Sequence, residues 1–82
     1  MSNFHDFQDF VEIQIERLSD GMYTSRFRIK RARRLNGPWG EWEEWSQDLG
    51  TFPESRDAET MGRSQAAMVH ERAKVSVTHK GF

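Results

Sequence analysis

The fold is decided by residues 9–34, which read DFVEIQIERLSDGMYTSRFRIKRARR. In the first part of this stretch Val11, Ile13 and Ile15 alternate with polar residues, which is typical of a half-buried strand. Residues 22–34 alternate in the same way, and the turn signal SDG at positions 19–21 separates the two runs. The sequence therefore predicts a β-hairpin.

The length of the hairpin loop sets the register, because a slip by one residue would turn every apolar side chain of one strand toward water. A two-residue loop would place Ile13 opposite Arg28 and mix the two faces. A three-residue loop with Gly21 in the left-handed conformation places Ile13 opposite Phe27 and Glu12 opposite Arg28. We predict the three-residue loop.

One side of the second strand is strongly basic. We call this row of side chains the basic stripe, and it consists of Arg26, Arg28, Lys30 and Arg34. The predicted register sets Gln14 opposite Arg26, with Glu16 diagonal to it, so the hairpin already offers partners to part of the stripe. The end from Lys30 to Arg34 lacks such partners, and there the sequence most clearly indicates contact with another molecule.

Residues 39–45, which read WGEWEEW after the breaker NGP at 36–38, predict a third strand. On a regular strand Trp42 and Trp45 would lie on opposite faces, so we expect Trp45 in the core and Trp42 beside the basic stripe. The acidic residues of this strand would complement the second strand, with Glu44 beside the stripe and Glu41 and Glu43 facing Arg31 and Arg33.

A helix is predicted over residues 55–74. Ser55 is a candidate N-cap, Asp57 and Glu59 follow in the region where the helix dipole favours negative charge, and small residues recur at helical spacing. These small residues, which include Ala58 and Gly62, would let the helix lie close to the sheet. Residues 75–82 alternate again, which leaves open a short fourth strand or an ordered tail.

Length and composition limit the remaining choices. The 82 residues bound the chain to one small domain over 1–82, with a lead-in at 1–7, a three-stranded sheet over 8–52, the helix at 55–74 and the strand or tail at 75–82. The net charge is −1, with 12 basic and 13 acidic residues, which argues against a general polyanion binder. We predict an α+β fold in which a three-stranded antiparallel meander carries one C-terminal helix on one face.

Site chemistry is sparse in this sequence. The chain has no cysteine, so disulfides and thiolate sites are excluded. His5, His70 and His79 do not have the spacing of metal ligands, and no serine lies in a nucleophile-elbow context. No apolar run approaches the ~20 residues that span a bilayer. We expect a cytoplasmic protein that is not an enzyme and that needs no cofactor, metal or membrane.

Two resemblances follow from the Trp42 and Trp45 pair and the segment DLGTF at 48–52. The chain resembles a group of small bacterial proteins of unknown function, which implies a β-β-β-α fold without an activity. It also has a weaker likeness to the plant ethylene-response-factor type of DNA-binding domain, through the pair Trp39-Gly40 and the segment at 49–52. That likeness implies a sheet lying in the DNA major groove. Here only eight residues separate the two motifs, and acidic residues fill that interval.

The sequence thus favours a small binding or interaction module that contacts a protein partner, or a second copy of itself, through the open sheet face. A nucleic-acid-binding module that uses the same basic strand and Trp42 is the alternative, since cations and an aromatic ring can contact phosphates and stack bases. An enzyme is the third and last-ranked class. The basic stripe also fits an arrangement without a partner, in which the charges neutralise one another within the sheet. The candidate surface comprises Arg26, Arg28, Lys30, Arg34, Trp39 and Trp42.

Overall fold

The computed structural model describes residues 9–31, 40–70 and 72–82. The elements, in chain order, are strands β1 (Phe10–Arg17) and β2 (Tyr23–Lys30), helix α1 (Ser55–Val69) and strand β3 (Lys74–Lys80). The strands form one sheet in the order β2-β1-β3. Strand β1 pairs antiparallel with β2 and parallel with β3. The described residues therefore form an α+β fold with a mixed sheet and one helix.

The hairpin between β1 and β2 confirms the predicted loop and register. Ile13 pairs with Phe27, and Glu12 pairs with Arg28. Gly21 adopts a φ of 85° in the loop, a conformation that glycine reaches without the steric cost that a Cβ brings. The loop is closed where the Leu18 N–H donates to the Met22 carbonyl at 2.7 Å. Local alternation and turn chemistry were sufficient to define this unit.

The predicted third strand over residues 39–45 is wrong, and the sheet is not an antiparallel meander. Among residues 40–54, Trp42 and Phe52 make only isolated bridges, to Lys30 and Tyr23. The third strand is instead Lys74–Lys80, which begins at the last residue of the predicted helix and continues into the region 75–82, for which strand and tail were both open. It lies on the far side of β1 and runs parallel to it, because α1 returns the chain to the end of the sheet where β1 begins.

The core lies between the sheet and α1. The buried residues of β1 on this side are Val11, Ile13 and Ile15, and α1 covers them with Ala58, Gly62 and Ala66. A Cβ built on Gly62 would lie 2.6 Å from the Ile13 Cγ2, so glycine is what permits this close approach. The predicted use of small residues on the inner helix face is confirmed.

The ends of the helix differ from the prediction. Glu54 is the N-cap residue and Ser55 already lies inside α1, so the assignment of Ser55 as N-cap is wrong. The helix ends at Val69 and not at residue 74. The next N–H, that of His70, still donates to the Ala66 carbonyl at 2.7 Å. Val69, the last residue of the helix, is 58% exposed.

Residues 42–52 run along the outer edge of β2, and we call them the edge segment. Four of its N–H groups donate to carbonyl groups of β2: Glu43 to Ile29, Ser46 to Phe27, Leu49 to Ser25 and Phe52 to Tyr23. These bonds are 2.7–2.9 Å long. The edge segment therefore advances by three residues for every two residues of β2. A regular strand would advance by the same number as its neighbour, so this segment is a coiled cover and not a strand.

Candidate binding surface

The face of the sheet opposite α1 carries polar side chains in rows that cross the three strands. Because residues two apart on a strand share a face, the register defines these rows directly. From one end of the sheet to the other they are Lys30–Phe10–Lys74, Arg28–Glu12–Ser76, Arg26–Gln14–Thr78 and Thr24–Glu16–Lys80. The first three rows contain the part of the basic stripe that the structure describes.

Cationic and aromatic side chains alternate along the β2 side of this face. We call this arrangement the ladder, and its order is Arg26, Trp45, Arg28, Trp42 and Lys30. The guanidinium carbons lie 4.5 Å from the ring centroids, and the Lys30 Nζ lies 5.9 Å from the Trp42 ring. Successive cations of β2 are about 6.8 Å apart along the strand, which leaves room for one ring between them. Such contacts contribute about 0.5–2 kcal/mol each.

The ladder corrects the predicted position of Trp45. A period of two residues would have separated Trp42 and Trp45, but the edge segment repeats every three residues. Each tryptophan directly precedes a residue that donates to β2, namely Glu43 and Ser46. Both rings therefore lie over the basic stripe, and Trp45 is not part of the buried core. Phe52, at the end of the edge segment, does pack against the core.

The two arginines of the ladder are also held by β1. The Arg28 Nε and NH2 groups lie 2.8 Å and 2.7 Å from the Glu12 Oε1. The Thr78 hydroxyl donates to the other Glu12 oxygen at 3.3 Å. The Arg26 Nε donates to the Gln14 Oε1 at 3.1 Å. With side-chain exposures of 29% for Arg28 and 16% for Glu12, this ion pair is partly shielded from solvent. The charge of Arg28 is therefore neutralised within its row, whereas Arg26 is hydrogen-bonded to a neutral amide.

The row formed by Lys30, Phe10 and Lys74, which we call the lysine row, differs from its neighbours. Neither lysine forms an ion pair with any residue that the structure describes. The row forms part of a cleft of about 410 Å³, and Trp42, Val75 and Ser76 complete its lining. Trp42 is 37% exposed. The cleft thus combines two cations with two aromatic rings, which suits an anionic group attached to an apolar body.

The structure brings together four of the six candidate residues from the sequence: Arg26, Arg28, Lys30 and Trp42 all belong to the ladder. Arg34 and Trp39 lie outside the described residues. Of the acidic residues predicted to face Arg31 and Arg33, Glu43 does contact Arg31, with the Arg31 Nε 3.0 Å from the Glu43 Oε2.

The remaining charge predictions concern Arg33, Glu44 and Glu16. Arg33 lies outside the described residues. Within the described part of the chain Glu44 and Glu16 form no ion pair, so neither residue neutralises the stripe through direct contact.

A second polar cluster joins the start of β1 to the end of α1. The His70 Nε2 lies 3.2 Å from the Asp9 Oδ2 and contacts the Arg31 NH1. Because Arg31 also pairs with Glu43, this cluster links the start of the edge segment to the ends of β2 and α1. No group of three or more residues suited to holding a metal ion occurs in the three described ranges. The contacts of His70 are those of a structural tether.

Sequence reasoning missed three members of this surface: Phe10, Trp45 and Lys74. The spacing WxxWxxW at 39–45 was the signal for Trp45, since a three-residue repeat of aromatics is inconsistent with a flat strand. For Lys74 the signal was the alternation KVSVTHK at 74–80, which places it on the same face as Ser76 and Thr78. Its position beside Phe10 required the parallel register with β1.

Searches of protein families, of characterised proteins and of solved structures found no match to this chain. The two resemblances seen in the sequence therefore stay predictions. In the described ranges, no helix combines the length and the apolar character needed to cross a bilayer.

Proposed function

We propose that this protein is a non-enzymatic binding module that contacts a protein partner through the open sheet face, at the lysine row. The observation that carries the proposal is the contrast between rows. Arg28 is paired with Glu12 and Arg26 is hydrogen-bonded to Gln14, whereas Lys30 and Lys74 form neither an ion pair nor a side-chain hydrogen bond with any described residue. An acidic protein segment with an apolar side chain would complement this charge and fill the cleft.

Nucleic acid is the second candidate, because Trp42 and Lys30 could stack a base and contact a phosphate. One observation favours a protein over it. The guanidinium groups that would bind phosphates are already engaged in the ladder, and Arg28 is also paired with Glu12.

The test is a selection of random peptides on the immobilised chain, followed by affinity measurements on the wild type and on charge-reversal variants. We expect the enriched peptides to carry acidic residues next to an apolar one. Lys30→Glu and Lys74→Glu should each weaken their binding at least about tenfold. Arg56→Glu is the matched control, because the Arg56 side chain is 85% exposed on α1, away from the open face.

Three results would contradict the proposal. One is equal binding by all three variants, which would place the contact elsewhere. A second is the absence of any enriched peptide. The third is tight binding of single-stranded oligonucleotides that weakens steeply as salt rises, which would favour the nucleic-acid alternative.

A further inference from the structure

The two edges of the sheet differ in whether their backbone groups are used. The outer edge of β2 is covered by the edge segment through four N–H donors. The Lys74 N–H donates to the Asp9 carbonyl at 2.9 Å, so the backbone groups of Lys74 point toward β1. Because successive residues of a strand point their backbone groups to alternate sides, those of Val75, Val77 and His79 point away from the sheet. No described residue bonds to them.

Strand β3 is covered unevenly on the side that the helix occupies. Helix α1 packs over β1 and β2, and Val77 packs against the core, but Val75 remains 42% exposed. On the open face, Lys74 and Ser76 line the cleft of the lysine row. A segment that paired with β3 would therefore find free backbone groups, an apolar residue on one side and the cleft on the other.

The charges of β3 select between possible occupants of this edge. The strand reads KVSVTHK, with a lysine at each end and no acidic residue. If two copies paired antiparallel over the full strand, Lys74 would lie opposite Lys80 at both ends, and like charges directly opposite are destabilising. A second copy of the chain is thus disfavoured. An acidic strand with carboxylates opposite the two lysines is favoured.

We infer that the partner is an extended acidic segment that adds to the sheet as a strand beside β3. This inference rests on the proposed function and specifies how the partner is held. Backbone hydrogen bonds to Val75, Val77 and His79 supply the pairing, as in other cases of strand addition to an open edge. Carboxylates opposite Lys74 and Lys80 set the register. The carboxylate near Lys74 also lies beside the cleft that contains Lys30.

The probe is a synthetic peptide of the same length as β3, capped at both ends, with alternating valine and threonine between two terminal glutamates. Whether this peptide pairs parallel or antiparallel with β3, a terminal glutamate lies opposite each of the two lysines. We expect it to bind and to slow hydrogen exchange at the Val75, Val77 and His79 amides at least about tenfold. The control peptide with terminal lysines should not bind.

A pair of N-methylated peptides tests the backbone bonds without altering the protein. Methylation of the alternate amides that face β3 should abolish binding, whereas methylation of the other alternate set should preserve it. Val75→Pro gives the reciprocal test, because it removes an N–H that points away from β1. It should weaken binding about tenfold, and a thermal unfolding curve checks that the variant folds.

The outcomes separate this inference from the proposed function. If the glutamate-ended peptide binds, depends on Lys30 and yet protects none of the three amides, strand addition is overturned and the open-face proposal stands. If that peptide does not bind while selected acidic peptides do, the result is the same. If no acidic peptide of either kind binds, both proposals fail.

Discussion

The two edges of this small sheet show two ways to manage exposed strand backbone. The β2 edge is covered by a coiled segment whose rings alternate with the cations of the strand. No described residue covers the β3 edge. The strand has a lysine at each end, and lysines on edge strands commonly protect against uncontrolled pairing. A segment that repeats every three residues can therefore pair with the backbone of an edge strand without being a strand itself, provided that side-chain contacts hold the segment in place.

The largest expected effect is a loss of stability from a change in β1, the central strand that lies between the two edge strands. Ile13 in β1 is 0% exposed and packs against the helix at Gly62. Ile13→Ala should lower the free energy of unfolding by about 2–5 kcal/mol through lost burial and the cavity left behind. Denaturant unfolding monitored by tryptophan fluorescence measures this loss. Val69→Ala, at a site 58% exposed, is the control and should cost far less. Equal losses would refute the assignment of the core.

The next largest effect is expected at the β2 edge and not at the β3 edge. Arg28→Ala removes the cation between Trp42 and Trp45 and leaves the Glu12 carboxylate without its partner. We expect a loss of about 1–3 kcal/mol, reduced because the pair is partly solvated. Hydrogen exchange should accelerate at the Glu43 and Ser46 amides.

The β3 amides that point toward β1, those of Ser76 and Thr78, serve as an internal reference for this variant, and their exchange should follow global unfolding only. Arg63→Ala is the matched control, since Arg63 forms an exposed pair with Glu59 one turn away and should cost no more than about 0.5 kcal/mol. Unchanged exchange at Glu43 in Arg28→Ala would show that the ladder does not hold the edge segment.

A smaller effect is expected at the hairpin loop that places β2 beside β1. Gly21 has a φ of 85°, and nothing lies within 4 Å of a Cβ built there, so the cost of a side chain is conformational only. Gly21→Ala should lose about 1 kcal/mol, and Gly21→Asn should lose less because asparagine tolerates the left-handed region. Thermal unfolding of the two variants measures the difference. An alanine variant as stable as the asparagine variant would contradict the loop geometry.

The smallest effect on stability is expected at the uncovered edge. Lys74→Glu changes an exposed residue without an ion pair in the described part of the chain, so the free energy of unfolding should stay within about 0.5 kcal/mol of the wild type. Its binding of acidic peptides should nevertheless fall. A large loss of stability at Lys74 would mean that this edge has a structural role like that of the β2 edge.

Much of the local structure could be predicted because neighbouring residues decide it. The alternation in β1 and β2, together with the SDG turn, defined the register that pairs Ile13 with Phe27. The small residues at 58, 62 and 66 predicted the inner face of α1. Trp45 was misplaced because a strand period of two was applied to a segment that repeats every three residues.

The neighbours of β1 could not be predicted in the same way. Both the Trp42 region and residues 74–80 carry residues compatible with a strand, and alternation identifies a strand without naming the strand beside it. The free edge of β1 is taken by β3 because α1 carries the chain back to the Asp9 end of the sheet. The lysine row exists only as a consequence of that pairing.

By itself the sequence determined the hairpin, its register, the helix and the basic stripe, because turn chemistry and the periodicity of apolar residues act over short distances along the chain. Only the tertiary structure decided that β3 runs parallel to β1, that Trp42 and Trp45 lie on one face, and that Lys30 and Lys74 flank Phe10. These features depend on contacts between segments far apart in sequence. Their charges and rings acquire a role only when packing brings them together.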